Sequence, residues 1–114
     1  MTLDSRMVSR LRGQAQKLDP VIWIGRRGVT DAAVDQVSQA LDDHELVKAV
    51  VQDGAPDDAK GTAAQLSERL GAEIVQVIGR RFVLFRLSEK VERQKDEKEK
   101  ALRASRRTGG SAQR

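Results

Sequence analysis

The chain contains no cysteine and no tyrosine, one histidine, two prolines and only three aromatic residues, Trp23, Phe82 and Phe85. Without cysteine there is neither a disulfide framework nor a thiolate metal site. His44 has no second histidine to share a metal or a catalytic task, and reads as a hydrogen-bonded residue at a helix–strand junction. Paired carboxylates and a nucleophile–base set are also missing, which argues against an enzyme and implies neither cofactor nor small-molecule substrate. No apolar run approaches membrane-spanning length, and the segment from Met1 to Arg6 lacks the apolar stretch of an export signal. A soluble, cytoplasmic protein without a membrane partner is the expectation.

An excess of one charge is missing from most of the chain. Of the +4 net charge, residues 88–114 supply all: nine Lys and Arg stand there against five acids, leaving twelve of each sign before. Net charge therefore says little, and its local distribution has to carry any argument about polyanions. The composition divides the chain into a folded domain over 1–87 and a charged tail over 88–114. Pairs such as Glu89/Arg93, Asp96/Lys100 and Glu99/Arg103 suit a solvated helix in that tail, while residues 104–114 read as disordered.

The most informative stretch present is Val21-Ile22-Trp23-Ile24-Gly25-Arg26-Arg27-Gly28-Val29-Thr30. Four apolar residues predict a buried strand, with Trp23 in the core. Gly25 and Gly28 frame a tight loop, and Thr30 is placed to cap a helix. Such a junction gathers unpaired N–H groups at the positive end of a helix dipole, where anions bind. Arg26 and Arg27 add guanidiniums whose forked geometry matches phosphate. The glycines also open the backbone to an approaching ligand. This combination predicts a clamp for phosphate groups, with Asp31 as a mild opposing charge.

Around this stretch the apolar spacing predicts a helix over 5–18, a second from Thr30 to about residue 43, and a third over 56–70 starting at Pro56. Strands are predicted at 46–51, 73–78 and 82–87, the last two as a hairpin around Gly79-Arg80-Arg81. The order α-β-α-β-α-β-β predicts an α/β fold with a mixed four-stranded sheet. Strand–helix–strand units imply parallel pairings by right-handed crossovers, the hairpin is antiparallel, and helices cover both faces at least in part.

Three separated motifs then resemble one family over nearly all of residues 5–87. These are Leu11-Arg12-Gly13 with Leu18, Pro20 and the Ile24–Thr30 run; His44-Glu45-Leu46-Val47-Lys48; and Val75–Arg80 with Val83–Arg86. They resemble the CRM domain (chloroplast RNA splicing and ribosome maturation) in its stand-alone bacterial YhbY-type form. The resemblance implies a fold similar to the C-terminal domain of initiation factor three. It further implies RNA binding, with large-subunit ribosomal RNA or its precursor particle as partner, and contact to RNA backbone through the G-x-x-G loop. The residues implied are Gly25, Arg26, Arg27, Gly28, Val29 and Thr30, with Arg12, Lys48, Arg80, Arg81 and Arg86 around them. Many relatives carry histidine where this chain has Gln16, and lysine where it has Asp19. Scarce aromatics independently disfavour a base-stacking platform and favour contacts to phosphate, shape and 2′-hydroxyl. Two alternatives stand beside this reading: an RNA adaptor in splicing or translation, and a protein–protein adaptor acting through its tail.

Overall fold

The computed structural model describes residues 3–112, with side-chain surroundings from 3 to 102. The elements are α1 (Ser5–Gln16), β1 (Ile22–Ile24), α2 (Asp31–His44), β2 (Leu46–Val51), α3 (Ala59–Leu70), β3 (Glu73–Ile78), β4 (Arg81–Phe85) and α4 (Glu89–Ala112). Each of the first three helices starts where a side-chain oxygen takes an orphan N–H. Asp4 accepts from Met7 at 2.8 Å, Thr30 from Ala33 at 3.0 Å and Asp58 from Gly61 at 2.8 Å. The third start differs from expectation. Asp58, not Pro56, caps α3, and Pro56 stays in the preceding loop.

The sheet order is β1-β2-β4-β3. β1 pairs parallel with β2, as a strand–helix–strand unit requires. The second crossover skips a place: β4 lies between β2 and β3 and runs antiparallel to both. β2 and β3 thus point the same way without touching. The predicted β2–β3 pairing gives way because the β3–β4 hairpin folds its second strand inward, where Phe82, Val83, Leu84 and Phe85 are all buried. β3 takes the edge, and the register shift between Ile74 and Gln76 interrupts its ladder.

Alternation on the strands builds two cores. Ile22, Ile24, Val47, Ala49, Val51, Phe82 and Leu84 face α2 and α3, meeting Val37, Leu41, Ala63 and Leu66. Leu46, Val75, Val83 and Phe85 point the other way and meet Leu11 and Ala15 of α1. Each large side chain that is fully removed from water contributes about 1.5–3 kcal/mol. Helices therefore lie on both faces, but two cover one face and a single short helix covers the other.

After β4 the chain turns onto α2. The buried Glu45 carboxylate accepts from the Ser88 N–H at 2.8 Å, Ser88 donates its hydroxyl to the Asp42 carbonyl, and Lys90 pairs with Asp43. The Lys90 ammonium, by hydrogen bond and by charge, holds the Asp43 carboxyl below the usual carboxylate range, with His44 helping. α4 continues to Ala112, so the helix includes residues where composition predicts disorder; Gln113 and Arg114 lie outside the described residues. Among the described residues no helix is long and apolar enough to cross a membrane.

Candidate nucleic-acid interface

The loops that follow β1 and β2 and the tip of the β3–β4 hairpin share one end of the sheet. The Gln52 N–H donates to the Ile24 carbonyl at 2.8 Å, and the Val51 N–H to the Arg80 carbonyl at 2.8 Å. In open α/β sheets this end, beyond the strand C-termini, is where ligands sit.

The Gly25–Gly28 turn is closed by the Gly28 N–H donating to the Gly25 carbonyl at 2.9 Å, and the Thr30 N–H returns to the Gly28 carbonyl at 3.1 Å. Gly28 has φ +65, and a Cβ there would stand 2.7 Å from Pro56 Cγ. This revises the expected role of the glycine. The space beside Gly28 is filled by Pro56, so the residue serves the turn and its packing, not a ligand's approach. Val29 packs against the α2/α3 core and anchors the loop from below.

Arg26 and Arg27 are exposed and make no hydrogen bond or ion pair among the described residues. The Arg26 stem lies over the β2–α3 loop, its Cγ 3.4 Å from where a Cβ on Gly54 would be. A shallow hollow of about 400 Å³ joins Trp23, the Gly25–Gly28 turn and the first turn of α2. Thr30 leaves the Asp31 and Ala32 amides at that helix start without intrahelical acceptors. Asp31, the expected opposing charge, is engaged by Arg69 of α3 at 3.0 Å. The site offers free guanidiniums, oriented amides and a partly offset acid, a constellation suited to a phosphate.

The other predicted residues separate. Arg80 reaches this end but pairs with Asp53. Arg81 has no ion pair among the described residues, and with Lys48 and Gln16 it lines a groove of about 220 Å³ on the α1 face. Arg12 is exposed on α1, its Nε 3.4 Å from the Val75 carbonyl at the β3 edge. Arg86 does not join the surface. It is 22% exposed and donates to the carbonyls of Leu70 (3.0 Å) and Ser38 (3.0 Å), the Ser38 hydroxyl (3.2 Å) and the Asp42 carboxylate (2.9 Å). Just past β4, its guanidinium ties the second half of α2, at Ser38 and Asp42, to the end of α3 at Leu70. Arg86→Ala is therefore expected to lower stability by about 2–3 kcal/mol in a urea titration. An unchanged midpoint would show that water satisfies those acceptors equally well.

The His44 imidazole is exposed and makes no hydrogen bond among the described residues; the junction role expected of it belongs to Glu45. Trp23 overturns a second expectation. It is 55% exposed, because Ile22 and Ile24 take the core side of β1 and leave the ring on the face that α1 covers only at its far end. The loop into α3 forms an acidic shoulder of Asp53, Asp57 and Asp58, whose carboxylates meet Arg80, Gln65 and the Gly61 N–H respectively.

Residues 3–86 match the CRS1 / YhbY (CRM) domain. The chain is 33% identical over 78 residues to Probable RNA-binding protein YqeI of Bacillus subtilis, spanning 68% of this chain and 81% of that one. An RNA-binding protein of Haemophilus influenzae is 32% identical over 88 residues, 77% of this chain and 89% of the other. The solution structure of the hypothetical protein SAV1595 from Staphylococcus aureus superposes with a TM-score of 0.66 at 35% identity, covering 77% of this chain and 92% of that one. With a match that spans the whole four-stranded sheet and the three helices packed on it, the chain belongs to the CRS1 / YhbY (CRM) domain family.

Proposed function

We propose that this protein binds RNA, gripping the sugar–phosphate backbone with the Gly25–Thr30 loop, and that it does so on precursors of the large ribosomal subunit during assembly. The observation that carries the reading is the pair Arg26 and Arg27, exposed and unpartnered among the described residues, on a rigid turn that opens a capped helix. Charges left free in a chain otherwise rich in ion pairs are available for a polyanion. Relatives named as RNA-binding proteins support the choice of RNA, and the assembly role follows from the resemblance to the YhbY-type form. The protein acts by binding, not by catalysis, in the cytoplasm where ribosomes are built. Arg80, Arg81 and Lys48 extend the contact beyond the loop. Arg12 lies at its margin.

Gradient sedimentation of cell extract tests the assembly role. The protein is expected to migrate with large-subunit precursors at low salt and to leave them as salt rises, since each phosphate contact releases counterion. Migration only with mature small subunits, or a salt-independent association, would contradict it.

A further inference from the structure

We infer that Trp23 stacks on an unpaired base of the bound RNA, so that the protein selects single-stranded or bulged segments over uninterrupted duplex. The inference rests on the RNA-binding reading above and departs from the expectation against base stacking at one position, because Trp23 is exposed and not in the core.

Four residues in register cross the sheet on the α1 face: Trp23 pairs with Val50, Val50 with Arg81, and Arg81 with Ile78. α1 covers the neighbouring part of this face, over Leu46, Val75, Val83 and Phe85, and leaves this row open. Trp23 is 55% and Ile78 64% exposed. Arg81 in this row, and Lys48 beside Val83 further along β2, make no ion pair among the described residues and line one groove with Ile78. An exposed indole that shares its hollow with Arg26 and Arg27, with Arg81 two strands along the same row, fits a planar base on a polyanionic chain better than a dry apolar partner, which would have to bury those charges unpaired.

Position points the same way. Trp23 precedes Gly25 by two strand residues, roughly 7 Å of chain, and lines the same hollow as the Gly25–Gly28 turn. A nucleotide whose phosphate meets the loop has its base within reach of the indole. The acidic shoulder of Asp53, Asp57 and Asp58 lies on the route toward α3, so charge steers the strand across the α1 face instead. Bases in a duplex keep their faces stacked on one another, and only an unstacked base offers one to Trp23.

Trp23 is the sole tryptophan, so its emission reports on this position alone. The full chain is titrated with an adenine-rich single strand of about a dozen nucleotides and with a blunt duplex of equal length, at one salt concentration. The expected result is strong quenching by the single strand and little by the duplex. Trp23→Leu should bind the single strand about tenfold more weakly, keep its duplex affinity and keep the wild-type urea midpoint. Trp23→Phe, which retains an aromatic face, should recover most of the loss. Unchanged emission at saturation, or wild-type single-strand affinity in Trp23→Leu, would overturn the stacking while leaving backbone binding intact. Loss of a protein partner by Trp23→Leu with RNA affinity unaltered would overturn it in favour of a protein interface. Absence of binding to either RNA would overturn both readings together.

Discussion

Reversing the two loop arginines together, Arg26→Glu with Arg27→Glu, is expected to weaken RNA binding by roughly 10²–10⁴-fold at fixed salt. Each guanidinium stands for a charge-assisted hydrogen bond worth about 1.5–3 kcal/mol, and the two carboxylates that replace them repel the same phosphates. The slope of log affinity against log salt should also flatten, by about 0.7–0.9 for each phosphate no longer neutralised. Stability should hardly change, because neither side chain has a hydrogen bond or ion pair to lose among the described residues. Arg80→Glu provides the contrast. Arg80 already shares its charge with Asp53, so its reversal removes less attraction for RNA and adds a local repulsion between carboxylates. Filter binding at several salt concentrations, with circular dichroism as the fold control, measures both. Wild-type affinity in the double variant would remove the loop from the interface.

The second large effect lies in the backbone of the same loop. Gly28→Ala is expected to destabilise the protein by about 2–4 kcal/mol. One part is the left-handed backbone at φ +65, which a Cβ disfavours. The other is the 2.7 Å approach to Pro56 Cγ, a ring carbon that cannot rotate away. The two parts are separable. In a Pro56→Ala background the clash is relieved, and Gly28→Ala should then cost only the backbone strain, about 1–2 kcal/mol. Gly25→Ala is the internal reference. Its Cβ would meet the end of the flexible Gln52 side chain at 3.3 Å, and the cost should stay below about 1 kcal/mol. Urea midpoints of these variants decide the matter. Equal costs at Gly25 and Gly28 would show that the loop is not held against Pro56.

These two positions also show what residue types alone can and cannot convey. The turn, the two arginines and the cap at Thr30 are local, set by neighbours in the chain, and the sequence places them within a residue. The strands at 46–51 and 73–78 are equally local in their apolar pattern. Pro56 is different: it looks like a helix start because proline suits that position, whereas its partner is Gly28, distant in the chain. Trp23 is hidden by a run of four apolar residues with no polar alternation, so nothing in the run marks which side faces solvent. The reach of α1 decides it, because that helix ends too early to cover the row through Val50 and Arg81. Arg86 looks like any surface cation on a strand end. Only the meeting of α2, α3 and β4 reveals the carbonyl and hydroxyl acceptors around it. The inward place of β4 is likewise a tertiary outcome, set by which strand of the hairpin is apolar on both faces.

The most direct test of the central claim is an amide chemical-shift titration of the 114-residue chain with a bulged fragment of large-subunit ribosomal RNA. The largest shifts are expected at Arg26, Arg27, Gly28, Val29 and the first amides of α2, with the Trp23 indole N–H moving alongside them. Shifts confined to α4 and the opposite end of the sheet near Glu45, with the Gly25–Thr30 amides unmoved, would contradict it.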